Sequence, residues 1–168
     1  MRPANDCSPL KIATIDAGCC IRVEGKGTMN ESQTAHEVAT RTLQTSQSIN
    51  VVFDLTSCSY LDSTFLGCLL DLYKHFGKSE SPRFVVAAPV EQRRKLFASC
   101  GIDKVIPAID APPATRSDWL PLTSETLNPQ QLMRHVMECH RALAQVDTPM
   151  KLAFAKIADE IEKDLNKV

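Results

Sequence analysis

The stretch Val51–Phe76, VVFDLTSCSYLDSTFLGCLLDLYKHF, decides how this chain folds. Val51, Val52, Phe53 and Leu55 form a nearly continuous apolar run, the pattern of a strand covered on both sides, and they predict the central strand of a sheet. Tyr60 and Leu61 lead into Asp62 and Ser63, short polar residues of the kind that cap a helix. Leu66, Leu69, Leu70, Tyr73 and Phe76 then recur every three or four residues, and Gly77 ends the run. A carboxylate and two hydroxyls, those of Asp62, Ser63 and Thr64, therefore stand where a central strand hands over to a helix. As a simple cap, Asp62 or Ser63 is worth about 1 kcal/mol.

Toward the N-terminus, Lys11–Asp16 and Cys19–Glu24 alternate partly with period two around Gly18, which predicts a hairpin or two edge strands. Glu24–Thr28, EGKGT, has the composition of a phosphate loop but not its order, and it is expected to be a turn. Thr28 and Glu31 fit a capping box for a helix to about Ser46, with Ala35, Val38, Ala39 and Leu43 inward. Toward the C-terminus, Phe84–Ala88 is a second buried strand, parallel and adjacent to Val51–Leu55 because a helix joins them. Pro89 opens a helix carrying Leu96 and Phe97, Gly101 closes it, and Val105 with Ile106 is expected to be a last short strand. Strand and helix alternate, so the class is α/β: a mixed sheet covered by helices, spanning residues 10–110.

Pro107, Pro112, Pro113 and Pro121 predict a Pro-rich linker over residues 111–127. Residues 128–168 then form a helical extension. Asn128–Pro129 starts a helix with Leu132, Val136, Cys139 or His140, Leu143 and Val146 on one face. Asp147–Pro149 separates it from a second helix striped by Leu152, Phe154, Ile157, Ala158, Ile161 and Leu165. Such a hairpin must bury Leu132, Leu143, Phe154 and Ile161 on the core or on a second copy of the chain.

The chain has 168 residues, 43% hydrophobic and 23% charged, enough for one domain with an added segment. Nineteen Lys and Arg against 20 Asp and Glu leave a net charge of -1, with no surplus to release counterions from nucleic acid. Apolar stretches such as Phe84–Val90 fall far short of the roughly 20 residues of a membrane helix, and Met1–Leu10 has no apolar leader core. A cytoplasmic protein with neither nucleic acid nor membrane as partner is expected. Seven cysteines occur without a C-x-x-C pair and read as buried thiols. His135, Cys139 and His140 share a helix face, yet three ligands on one element do not close a tetrahedral site, so no metal and no cofactor are expected. No nucleophile elbow, Walker loop, zincin helix or dinucleotide turn is present, and catalysis is not expected. A Cys or Ser nucleophile near His36 or His75 is the residual enzymatic reading, and nothing in the sequence selects one.

From Ile12 to Ile109 the chain resembles the STAS domain, named for sulfate transporters and anti-sigma factor antagonists. Asp54, Leu55, Tyr60, Asp62, Ser63 and Gly67 carry the resemblance, with Leu96–Val105, LFASCGIDKV, similar to the family's helix-end segment. The resemblance implies that Ser63 is the phosphorylation site, with Thr64 in reserve, and that Asp62, Ser63, Thr64 and Phe65 meet the partner. That partner would be an anti-sigma factor or serine kinase, whose capture releases a sigma factor. Thr64 and Phe65 depart from many antagonists, in which glycine is common after the serine, and imply an altered partner surface. A constitutive STAS scaffold, a homo-oligomer through the C-terminal helices, is the alternative.

Overall fold

The computed structural model describes residues 8–123 and 128–167. Strands β1 (Leu10–Ile15) and β2 (Gly18–Val23) form the antiparallel hairpin, with Ile12 opposite Ile21. A Cβ on Gly18 would lie 1.8 Å from the Asn50 carbonyl oxygen, so only glycine lets β2 begin against its next neighbour. That neighbour is β4 (Asn50–Asp54), parallel to β2, and β6 (Phe84–Ala87) continues the sheet parallel to β4. The central strand and its partner are thus those expected.

Two-residue strands finish the edges: β7 (Ala108–Ile109) beside β6, and β8 (Leu120–Pro121) beside β1. The strand expected at Val105 and Ile106 lies instead three residues later. Ile106 is buried, with Val105 packed alongside, in the turn that delivers Ala108 to Val86. Gly25–Gly27, expected as a turn, is strand β3, and it pairs in parallel with β5 (Cys58–Leu61) as a separate small sheet.

Ile12, Ile21, Phe53 and Val86 are lateral neighbours on the main sheet's helix-covered face. The opposite face holds a small cluster of Cys20, Val52 and Ala87, covered partly by Trp119. Arg22 and fully buried Asp54 pair there, Nε to Oδ2 at 2.8 Å. Asp54 Oδ1 accepts from the Thr56 amide and hydroxyl, and the Trp119 ring lies 3.9 Å from the Arg22 guanidinium. Within the Pro-rich stretch, the amides of Arg116 and Leu122 donate to Thr14 and Leu10 carbonyls, so residues 116–122 run along β1; residues 124–127 lie outside the description.

Helices α1 (Met29–Thr45) and α2 (Ser63–Leu72) cover the first face, and a π-helical turn, Tyr73–Gly77, extends α2. The capping box at Thr28 and Glu31 is formed in full. Helix α3 (Val90–Phe97) contributes Leu96 and Phe97, and Gly101, with φ 67°, ends the turn after it.

Helices α4 (Pro129–Ala144) and α5 (Lys151–Leu165) make a third layer. Cys139, Ala142, Leu143 and Phe154 join the main core, and each fully buried Leu or Phe contributes roughly 1.5–3 kcal/mol. Leu132 and Ile161 are half-buried, whereas Leu152 is 82% exposed. Leu152 lies two residues before Phe154, about 200° around the helix, and so faces away from the core.

The seam between α2 and α4 hinges on Gly67, where an added Cβ would sit 2.3 Å from the Cys139 carbonyl oxygen. Only a residue without a side chain permits this approach of two backbones. We expect Gly67→Ala to destabilise the protein by about 1–3 kcal/mol, the usual cost of overpacking. Urea denaturation, with limited proteolysis following release of α4, would measure it.

Candidate functional site

Asp62 is the joint of the site. Its backbone amide donates to the Gly27 carbonyl, tying it to β3. One carboxylate oxygen accepts from the Phe65 amide at 2.8 Å, capping α2, and the other from the Met29 amide at 2.7 Å, at the first turn of α1. Two helix N-termini thus converge on one carboxylate, where free amides and aligned peptide dipoles favour negative charge.

Ser63, the next residue, is half-buried at the start of α2. Its Oγ lies 3.1 Å from Nε2 of His140 on α4, and His140 is 5% exposed. His140 Nδ1 lies 2.8 Å from the Val136 carbonyl oxygen, which can only accept. In the neutral ring Nδ1 therefore carries the proton, Nε2 accepts, and the Ser63 hydroxyl donates. Asp62 and Ser63 form one corner, and the extension supplies its third member.

Thr64 and Phe65 do not belong to that surface. They are 3% and 0% exposed, so Thr64 offers no accessible acceptor and Phe65 no contact to a partner, which corrects both expectations. Phe65 packs edge-on against Phe53 with centroids 6.5 Å apart, and Gly27 leaves the room its ring fills. The bulky side chain has turned inward, and its effect is on the core.

A comparison with protein-family models matches residues 10–115 to the STAS domain. This chain belongs to the STAS family. The mixed sheet and covering helices are those of an α/β STAS domain, and membership makes the protein a protein-interaction or regulatory module. Among the described residues no helix is long and apolar enough to cross a membrane.

Around the STAS corner a polar seam joins α1, α2 and α4. His135 Nε2 lies 2.8 Å from Ser32 Oγ, and Cys139 Sγ approaches the same ring. His36 Nε2 meets Asp71 Oδ2 at 2.8 Å, and His75 stands 3.4 Å from Asp71's other oxygen. Burial pushes the Asp71 carboxyl up, but the His36 hydrogen bond and the charges of His36, His75 and Lys74 together bring it below its ordinary value.

His135, Cys139 and His140 share a helix face as the spacing predicts, but the two histidines part, His135 with Cys139 toward Ser32 and His140 toward Ser63. Among the described residues no group of three or more His, Cys, Asp or Glu could hold a metal ion. The six described cysteines are free and buried, and burial raises their thiols, Cys20 to about 12 and Cys58 to about 11; Cys7 lies outside the description. Sequence reasoning missed His140 as the partner of Ser63. The signal was a polar residue within an otherwise apolar helix face.

Burial, with the nearby His36 charge, lowers His135 from 6.5 to about 4. The unfolded chain therefore binds an extra proton between those values, so stability is full above about 6.5 and falls as pH drops toward 4. We expect urea midpoints to decline over that window and His135→Gln to flatten the decline; an equal decline in the variant would place its origin elsewhere.

Proposed function

We propose that this STAS protein is a phospho-regulated binding module of the anti-sigma factor antagonist kind, without catalytic activity of its own. It engages an anti-sigma factor or serine kinase through the corner at Asp62 and Ser63 and so frees a sigma factor. The observation that supports this most is Ser63 itself: a half-buried hydroxyl at the mouth of α2, oriented by His140, beside a carboxylate already holding two helix amides.

A phosphoryl group there adds about -1.5 to -2 charges next to Asp62. The helix terminus tolerates an anion, so the fold survives, while a partner docked against a small neutral hydroxyl is repelled. Modification also removes the hydroxyl proton given to His140, so the contact between the two must rearrange. His140 thus couples the state of Ser63 to the extension.

Exposed Leu152, Met150 and Ile157 on and beside α5 support a second reading, a constitutive scaffold that self-associates through its C-terminal helices. In that case Ser63 is dispensable and Leu152→Glu dissolves the oligomer.

The test is binding of a purified serine kinase of the anti-sigma class, taken from the native host, to wild type, Ser63→Ala and Ser63→Asp. We expect Ser63→Ala to bind yet accept no phosphate and to lose about 1 kcal/mol of stability as His140 Nε2 loses its donor. Ser63→Asp should bind about tenfold more weakly or worse, with an unchanged circular dichroism spectrum. Equal binding by all three proteins, with phosphate found elsewhere or nowhere, would contradict the proposal.

A further inference from the structure

The far end of α2 carries a different chemistry. About 16 Å along the helix axis from Ser63, the π-turn, the loop after it and the segment joining α1 to β4 line a cleft of about 530 Å³. Lys74, His75, Lys78 and Arg83 line it, with hydroxyls from Ser48 and Ser81, and no Asp or Glu is among the described lining residues.

Arg83 and Lys74 have structural duties. Arg83 Nη1 donates to the Leu43 and Ser46 carbonyls at the end of α1, both at 2.8 Å, which fixes the guanidinium at the rim. Lys74 Nζ donates to the Ala142 carbonyl on α4 and to Gln145 Oε1. These bonds offset the partial negative charge of two helix C-termini that would otherwise disfavour an anion.

Lys78 has no such duty. It makes no hydrogen bond or ion pair among the described residues, yet it stands close enough to Lys74 to disfavour that ammonium, which burial already lowers. Asp71 offsets part of that repulsion at Lys74, but it does not line the cleft. Asp71, one turn away, is committed to His36 and His75.

We propose that this cleft is a binding site for a compact polyanion bearing at least two negative charges, of the phosphate or pyrophosphate type. Its oxygens would accept charge-assisted hydrogen bonds from Lys78 and Lys74, with Ser48 and Ser81 completing the shell. Arg83 would set the cationic field at the rim. The site is separate from the Ser63 corner and does not depend on what binds there.

The experiment is titration of the full chain with inorganic pyrophosphate, followed by calorimetry and amide chemical shifts, against chloride at matched ionic strength. Saturable binding with shifts confined to residues 46–48 and 74–83 is expected. Lys78→Glu, at an exposed position, should weaken it about tenfold or more, as expected for loss of a charge-assisted bond. Lys163→Glu, an equal change of net charge on exposed α5, should leave it intact. Pyrophosphate shifts no larger than those of chloride, shifts centred on Ser63, or equal weakening by both variants would each overturn the proposal.

Discussion

Two backbones meet at Gly67, and most of the molecule's third layer depends on that contact. An α4 held further out would leave Cys139, Leu143 and Phe154 short of the core they join. It would also withdraw His140 from Ser63 and His135 from Ser32. The extension is therefore continuous with the STAS core through shared apolar burial, and polar bonds set its register. Hydrophobic burial supplies most of the energy, while the histidines fix which turn of α4 faces which turn of α2.

This arrangement gives the site two unlike parts. Asp62 is static: its carboxylate holds the first turns of α1 and α2 and its amide holds β3, so any change there disturbs three elements. Ser63 is the adjustable part, because its hydroxyl is bonded to one side chain, His140, rather than to the backbone of another element. Under the proposed phosphorylation of Ser63, the carboxylate keeps those three elements in place while His140 carries the change to α4.

The central elements were legible because their causes are local. Continuous apolar runs marked β4 and β6, the Thr28 and Glu31 pair marked the start of α1, and Asp62 was recognisable as a cap from its place before an apolar run. The elements missed have partners as their cause. Gly25–Gly27 has no apolar alternation and becomes a strand only because β5 lies beside it, while Ala108–Ile109 is placed by Val86 and Ala87. Thr64 and Phe65 were misplaced for a related reason. The helix after Asp62 reads as amphipathic when taken alone, but α4 covers its outer face and every residue from Thr64 to Leu70 is buried. The stripe on α4 predicted burial, and no local feature could say that α2 would be the surface beneath it.

Helices α2 and α4 form one cooperative unit, so that Ser63 and His140 belong to a single site. Native-state amide hydrogen exchange of the full chain tests this most directly, since it resolves the opening free energy of each helix. The amides of Leu66–Leu72 and Val136–Leu143 are expected to exchange only through the same large-scale opening, with matching free energies and matching dependence on denaturant. Exchange of the α4 amides by a much cheaper opening that leaves α2 protected would show that the extension detaches on its own, and would contradict it.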